Sequence, residues 1–179
     1  MDEVRRLLDG GVGVVPTDTL YGIVASAFNA GAVERVYRIK DRMPVKPPII
    51  LVASIDDLAR FDVTITPMEL TILHHHWPGP VSVIFPCENA AFAYLHRGAN
   101  SLAFRLPNDE RLRAFLAKSG PLIAPSANPE GLPPAKTVAE AKGYFGDLVD
   151  FYIDDGTKEG SPSVIIRPNT DGTWDTLRK

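Results

Sequence analysis

Cysteine is nearly absent: Cys87 is the only one in 179 residues. A single thiol excludes an internal disulfide and any zinc or iron–sulfur site built from several cysteines, and it suits a reducing, cytoplasmic setting. Long apolar runs are missing as well. No stretch approaches the ~20 residues a membrane span needs, and the opening MDEVRRLLDG lacks the apolar core of a secretory signal, so neither a membrane nor export is expected. There is no surplus of positive charge either, with 19 Lys and Arg against 22 Asp and Glu and a formal net charge of −3. Proteins that grip nucleic acid with their whole surface are usually basic, which weighs against that class and leaves only local basic patches open.

Several strict catalytic spacings are also missing. No G-x-x-x-x-G-K-[ST] occurs, and the GGVG at 10–13 has neither the lysine nor the following helix of a phosphate-binding loop. No G-x-S-x-G, H-x-E or H-E-x-x-H occurs. His74, His75 and His76 are consecutive, so on a helix they point in different directions and cannot chelate one ion together; no metal site is expected there. Positive charge complementing a helix C-terminus explains them better. The Phe and Tyr residues are too scattered to form a base-stacking RNA-binding motif.

What is present is an ordinary globular composition, 45% hydrophobic and 23% charged, long enough for one domain over residues 1–179. Val4, Leu7 and Leu8 mark a first helix ended by the glycines at 10, 11 and 13, and Val12, Val14 and Val15 mark a buried strand running into Pro16. A helix is predicted over 31–40, broken by Pro44, Pro47 and Pro48, with a strand over 49–52. Ser54-Ile-Asp-Asp57 and Thr66-Pro-Met-Glu69 are capping boxes, so helices should begin near 55 and 67, the second ending before Trp77-Pro78-Gly79-Pro80. Strands at 81–85 and 101–106 precede a helix at 109–118 capped by Asn108, a short strand at 121–124 and a helix opened by Thr137. Closing strands are predicted at 149–153, 162–167 and 173–177. Strands and helices interleave without a strict βαβ rhythm, which predicts an α/β fold: a twisted mixed sheet with helices packed on it.

Four segments carry polar residues that core packing does not require. PTDTLYG, 16–22, puts Thr17, Asp18 and Thr19 between two apolar strands, where short hydroxyls can either cap a turn or hold an amino-acid or sugar group. KDRMPVKP, 40–47, gathers Lys40, Arg42 and Lys46 at a helix end, as a solvated face or as a rigid cradle for polyphosphate. In Ser101-Leu-Ala-Phe-Arg105, alternation places Ser101, Ala103 and Arg105 on one face of a strand; an arginine among apolar neighbours needs an anion, from the protein or from a substrate. Ile123-Ala-Pro-Ser-Ala-Asn128 follows a short strand, where Ser126 and Asn128 either form a polar turn or face a ligand beyond the strand ends.

These segments, with WPGPVSVIF (77–85), PSVII (162–166) and LRK (177–179), run in an order and at spacings that resemble the TsaC/YrdC family of threonylcarbamoyl-AMP synthases over nearly the whole chain. The resemblance implies a YrdC-like domain with a concave, positively charged cavity. It also implies an enzyme that condenses L-threonine, bicarbonate and ATP, with Mg²⁺, into threonylcarbamoyl-AMP and pyrophosphate. A downstream threonylcarbamoyl-transferase then uses that product for tRNA modification. By motif position, the resemblance makes Lys40, Arg42, Ser126 and Asn128 the catalytic polar set. Thr19, Arg105, Ala124 and Ser163 become contacts to L-threonine, and Arg42, Lys46, Ser101, Ser126 and Arg178 contacts to ATP. Three positions depart from the family pattern. Met43 precedes the proline that usually follows Arg42 directly, Leu51 stands where some members have a substrate-touching histidine, and Val164 where many have threonine. Two other readings follow from family ties: a YrdC-like paralogue with other carbamoyl chemistry, and a non-catalytic module contacting tRNA or double-stranded RNA through a face with Arg35, Arg38, Lys40 and Arg42. The chain also stops where longer members continue into a second domain.

Overall fold

The computed structural model describes residues 2–179. In chain order it contains α1 (Asp2–Leu8), β1 (Val12–Pro16), β2 (Tyr21–Ser26), α2 (Ala30–Lys40), β3 (Ile49–Leu51), α3 (Pro67–His76), β4 (Val81–Pro86) and α4 (Ala93–His96). There follow β5 (Ser101–Arg105), α5 (Glu110–Ser119), β6 (Leu122–Ile123), α6 (Val138–Phe145), β7 (Phe151–Tyr152), β8 (Val164–Pro168) and β9 (Trp174–Arg178). All nine strands join one mixed sheet in the order β7-β1-β2-β6-β3-β5-β4-β8-β9. The pairs β1–β7, β3–β5 and β4–β8 are parallel and the rest antiparallel.

Strand alternation sorts the apolar residues onto two faces. Val12, Val14, Ile23, Ala25, Ile50, Leu102 and Phe104 join the larger core, which also takes the buried sides of α2, α3 and α6. Val15, Val24, Leu51 and Leu122 face the other way, into a smaller core closed by Leu7 of α1 and Leu112 and Leu116 of α5. That is why β1, β2 and β3 read as continuous apolar runs: both of their faces are covered. Past the half covered by α1 and α5, the sheet runs out to the edge strand β9, every residue of which is exposed. Among the described residues no helix is long and apolar enough to cross a membrane.

Local signals set most boundaries. Thr66 and Glu69 exchange bonds as a capping box, with Pro67 opening α3. Thr137 accepts from the Glu140 amide to start α6. Asp41, at φ 49°, closes α2 with its amide on the Arg38 and Tyr37 carbonyls. The predicted helix near 55 is instead a tight three-residue-per-turn helix, Ile55–Phe61, ended by Asp62 at φ 58°. The cap of α5 is Asp109, whose carboxylate accepts from the Leu112 amide, and not the expected Asn108, whose backbone amide donates to Asp18 at 2.9 Å. The four-residue α4 is too short to leave a periodic signal and was not expected.

Candidate functional site

The turn joining β1 to β2 is built on Thr17. Its hydroxyl donates to the Leu20 carbonyl at 2.7 Å and accepts from the Thr19 and Leu20 amides at 3.1 Å. Thr17 is therefore a capped turn residue, whereas Thr19 turns its hydroxyl towards β5. There Arg105 donates from Nη1 to Thr19 Oγ1 at 3.0 Å and sets Nη2 against Asp18 Oδ1 at 3.2 Å. The second contact is an ion pair without hydrogen-bond alignment; Asp18 Oδ1 and Arg105 Nε find no hydrogen-bond partner among the described residues. The anion that Arg105 needs thus includes a protein carboxylate, yet part of its fork remains unpaired. Burial holds the Arg105 pKa below its usual value, opposed by Asp18 and reinforced by Arg178.

Arg178, at the end of β9, lies on the same sheet face. Leu51 pairs with Arg105, Ser82 with Ile165 and Ile165 with Arg178. Arg178 donates from Nε and Nη2 to the Ser163 carbonyl at 3.0 and 2.7 Å and from Nη2 to its hydroxyl at 3.2 Å. The Ser163 hydroxyl in turn meets that of Ser82, which is fully buried, at 2.9 Å. Burial first and Arg42 second lower the Arg178 pKa.

Arg42 follows the left-handed Asp41, which turns the chain out of α2. Its Nη2 donates to the Pro47 carbonyl at 3.2 Å, its guanidinium lies 5.6 Å from the Tyr37 ring, and its buried Nε finds no hydrogen-bond partner among the described residues. The Tyr37 hydroxyl donates to the Lys46 carbonyl at 2.5 Å and so pins the loop from below. Opposite, β6 leads into the 124–128 segment. The Ser126 hydroxyl donates to Asn128 Oδ1 at 2.6 Å, while Asn128 Nδ2 holds the Pro129 and Leu132 carbonyls at 2.9 and 2.7 Å.

Thr19, Arg42, Arg105, Ala124, Ser126, Ser163 and Arg178 together line a hollow of about 190 Å³, and no carboxylate is among its lining residues. Ser101 lies apart, at the other end of β5, in a second hollow of about 790 Å³. Both open on one sheet face, since Ala103 pairs with Ile49, which lines the first, and with Ile84, which lines the second. Three more of the predicted residues do not line the first hollow either. Lys40 is buried beneath the 126–128 turn, Asn128 spends its amide on that turn, and Lys46 is ion-paired with Glu130 at the surface. Sequence reasoning missed Ser82; a lone hydroxyl between Val81 and Val83 in an apolar strand was the available signal.

The departures fall at unequal depths. Leu51 is fully buried in the smaller core and touches no hollow, Val164 is partly buried beside Ser163, and Met43 is exposed. Of the suggested basic RNA face, Arg38 is exposed, but Arg35 pairs with Asp150 at 2.6 Å, Lys40 is buried, and Arg42 lines the hollow.

Residues 5–179 match the Sua5/YciO/YrdC family, described as telomere recombination. A threonylcarbamoyl-AMP synthase of Idiomarina loihiensis is 32% identical over 162 residues, covering 88% of this chain and 87% of that one. One of Marinobacter nauticus is 34% identical over 167 residues, covering 90% and 87%. The crystal structure of P. abyssi Sua5 complexed with L-threonine superposes with a TM-score of 0.90 at 28% identity, over 99% of this chain; this chain spans 52% of that one. E. coli YciO shares the fold, with a TM-score of 0.87 at 21% identity. With a family match over 5–179 and relatives above 30% identity across most of its length, this chain belongs to the Sua5/YciO/YrdC family.

Proposed function

We propose that this protein is an L-threonylcarbamoyladenylate synthase, a nucleotidyltransferase acting in the cytoplasm that supplies a downstream transferase for tRNA modification. The observation that carries the reading is a hollow faced by three guanidiniums and no carboxylate, with hydroxyls of Thr19, Ser126 and Ser163 among them. Arg105 is buried and Arg42 partly buried, each with an Nε that finds no hydrogen-bond partner among the described residues, and the exposed Arg178 stands beside them. Guanidiniums gathered with this spare donor capacity favour an anionic ligand. Threonine and its carbamate, bicarbonate and the phosphates of ATP supply that charge, and the relatives' names and the L-threonine complex of P. abyssi Sua5 support the same substrates.

In this reading Arg105 and Thr19 hold the carboxylate end of L-threonine, with Ala124 and Ser163 forming the wall around its side chain. Arg42, Ser126 and Arg178 face the phosphates. Four strand steps separate Ser101 from Arg105, about 13 Å, so a nucleoside at the Ser101 end and an amino acid at the Arg105 end fit the two ends of one linear adduct. The amine of threonine adds to bicarbonate with loss of water, giving the carbamate. A carbamate oxygen then attacks the α-phosphorus of ATP, the bond to the bridging oxygen breaks, and pyrophosphate leaves. The protein supplies position and fixed positive charge rather than a nucleophile. The lining offers Mg²⁺ no carboxylate, so the ion would travel with the triphosphate.

The test is pyrophosphate release that depends on both L-threonine and bicarbonate, with calorimetry of L-threonine binding against L-serine and L-valine. Arg42→Ala should lower the rate about 100-fold, the loss expected when a charge-assisted contact of about 3 kcal/mol is removed from the transition state. Release of pyrophosphate indifferent to threonine or bicarbonate would overturn the assignment.

A further inference from the structure

Lys40 is the one cation of the 40–47 segment that faces inward. The residue is 2% exposed and lines neither hollow. Its ammonium donates to the main-chain oxygen of Ser126 at 2.5 Å and to that of Asn128, while its own carbonyl accepts from the Glu130 amide at 2.7 Å. Two carbonyls two residues apart thus converge on one point beneath the turn. Buried carbonyls need donors, and a compact ammonium with three N–H bonds can serve both at once.

The rest of the turn depends on this point. The Ala127 amide donates to the Tyr21 carbonyl at 2.8 Å, tying the turn to β2, and the Asn128 amide donates to the Ser126 carbonyl at 2.9 Å. The Ser126 hydroxyl and the Asn128 side chain are bonded to one another above it. Ser126 lines the hollow on the far side of the peptide that Lys40 holds. Arg42 and Glu130 are the charged groups that act on Lys40, the first opposing its charge and the second favouring it.

We infer that Lys40 is a positioning residue: it sets the shape of the 126–128 turn through two main-chain carbonyls, and thereby aims Ser126 into the hollow, without touching substrate. What Ser126 is aimed at rests on the proposed function; the hold on the turn does not. Phosphate contact from this segment then falls to Arg42. A compact ammonium with three N–H bonds suits two carbonyls converging on one point, whereas a planar fork is matched to a carboxylate or phosphate.

The experiment compares Lys40→Met with Arg42→Met. Amide hydrogen exchange of residues 126–132 is followed in the unliganded proteins, and ATP binding is measured across a range of salt. Lys40→Met should raise exchange in 126–132 at least tenfold and weaken ATP binding while leaving its salt dependence as in the wild type. Arg42→Met should leave that exchange unchanged and flatten the salt dependence, because it removes a charge that meets the phosphates. Should Lys40→Met not fold, Lys40→Leu, which likewise removes every donor, carries the same comparison. Unchanged exchange in 126–132, or a salt dependence flattened as much as by Arg42→Met, overturns the inference. If the wild type binds no ATP, the proposed function fails, and the exchange measurement alone still decides the role of Lys40.

Discussion

Replacing Arg105 with methionine would separate what that residue does for the fold from what it does for the site. Its guanidinium and the Asp18 carboxylate are both nearly inaccessible, with side chains 6% and 8% exposed. Methionine keeps much of the side-chain length but strands the carboxylate, which retains only the Asn108 amide at 2.9 Å. Breaking one side of a buried pair typically costs about 3–5 kcal/mol, whereas replacing both sides with neutral groups is often close to neutral. The unaligned 3.2 Å contact and the unpaired Asp18 Oδ1 and Arg105 Nε argue for the lower end of that range. Arg105→Met should therefore lose about 3 kcal/mol in urea unfolding at pH 7, and adding Asp18→Asn should restore most of it. Binding should not follow stability. The restored double variant should still bind L-threonine at least about tenfold more weakly, since a charge-assisted contact to its carboxylate is gone. Additive losses across the cycle would show that the two side chains are not coupled, and full threonine affinity in the double variant would remove Arg105 from the amino-acid end.

Two further outcomes are expected. A Cβ added at Gly160 would lie 2.2 Å from the Thr19 carbonyl oxygen, a backbone atom that cannot simply swing aside, so Gly160→Ala should cost about 1–3 kcal/mol and weaken L-threonine binding more than ATP binding, both read by calorimetry. Burial first, and then Arg42, lower the Lys40 pKa from 10.5 to about 7. Between those values the unfolded chain binds the extra proton, so wild-type stability should rise with pH from about 7 towards 10, by up to about 1.4 kcal/mol per unit, and urea unfolding of Lys40→Met should lack that rise.

The readable parts of this chain were those whose physics is local. Capping at Thr66 and Thr137 needs only a hydroxyl and a carboxylate three residues apart, and both helices begin there. The apolar run at 12–15 announced a buried strand and that at 49–52 a strand, and in the sheet both are covered on their two faces. The alternation at 101–105 put Ser101 and Arg105 on one face, and the backbone keeps them there, facing two different hollows. Failures came where a partner from a distant segment decided the outcome. Asn108 would cap α5 by its type, but the helix starts one residue later on Asp109, while the backbone amide of Asn108 is held by Asp18, ninety residues away.

The same reasoning explains why the cations at 40, 42 and 46 looked equivalent in sequence and are not equivalent in space. Spacing at a helix end places three positive charges near one another but does not say which way each points. The left-handed Asp41 turns the chain after Lys40, so Lys40, the last residue of α2, stays buried beneath the 126–128 turn while Arg42 emerges into the hollow. Glu130, on the loop beyond the 126–128 turn, then draws Lys46 to the rim. One backbone conformation and one distant carboxylate thus divide a charge cluster into an internal brace, a ligand-facing guanidinium and a surface ion pair. A motif of this kind can be read as a set from sequence, but the separate work of its members follows only from the register of the chain around it.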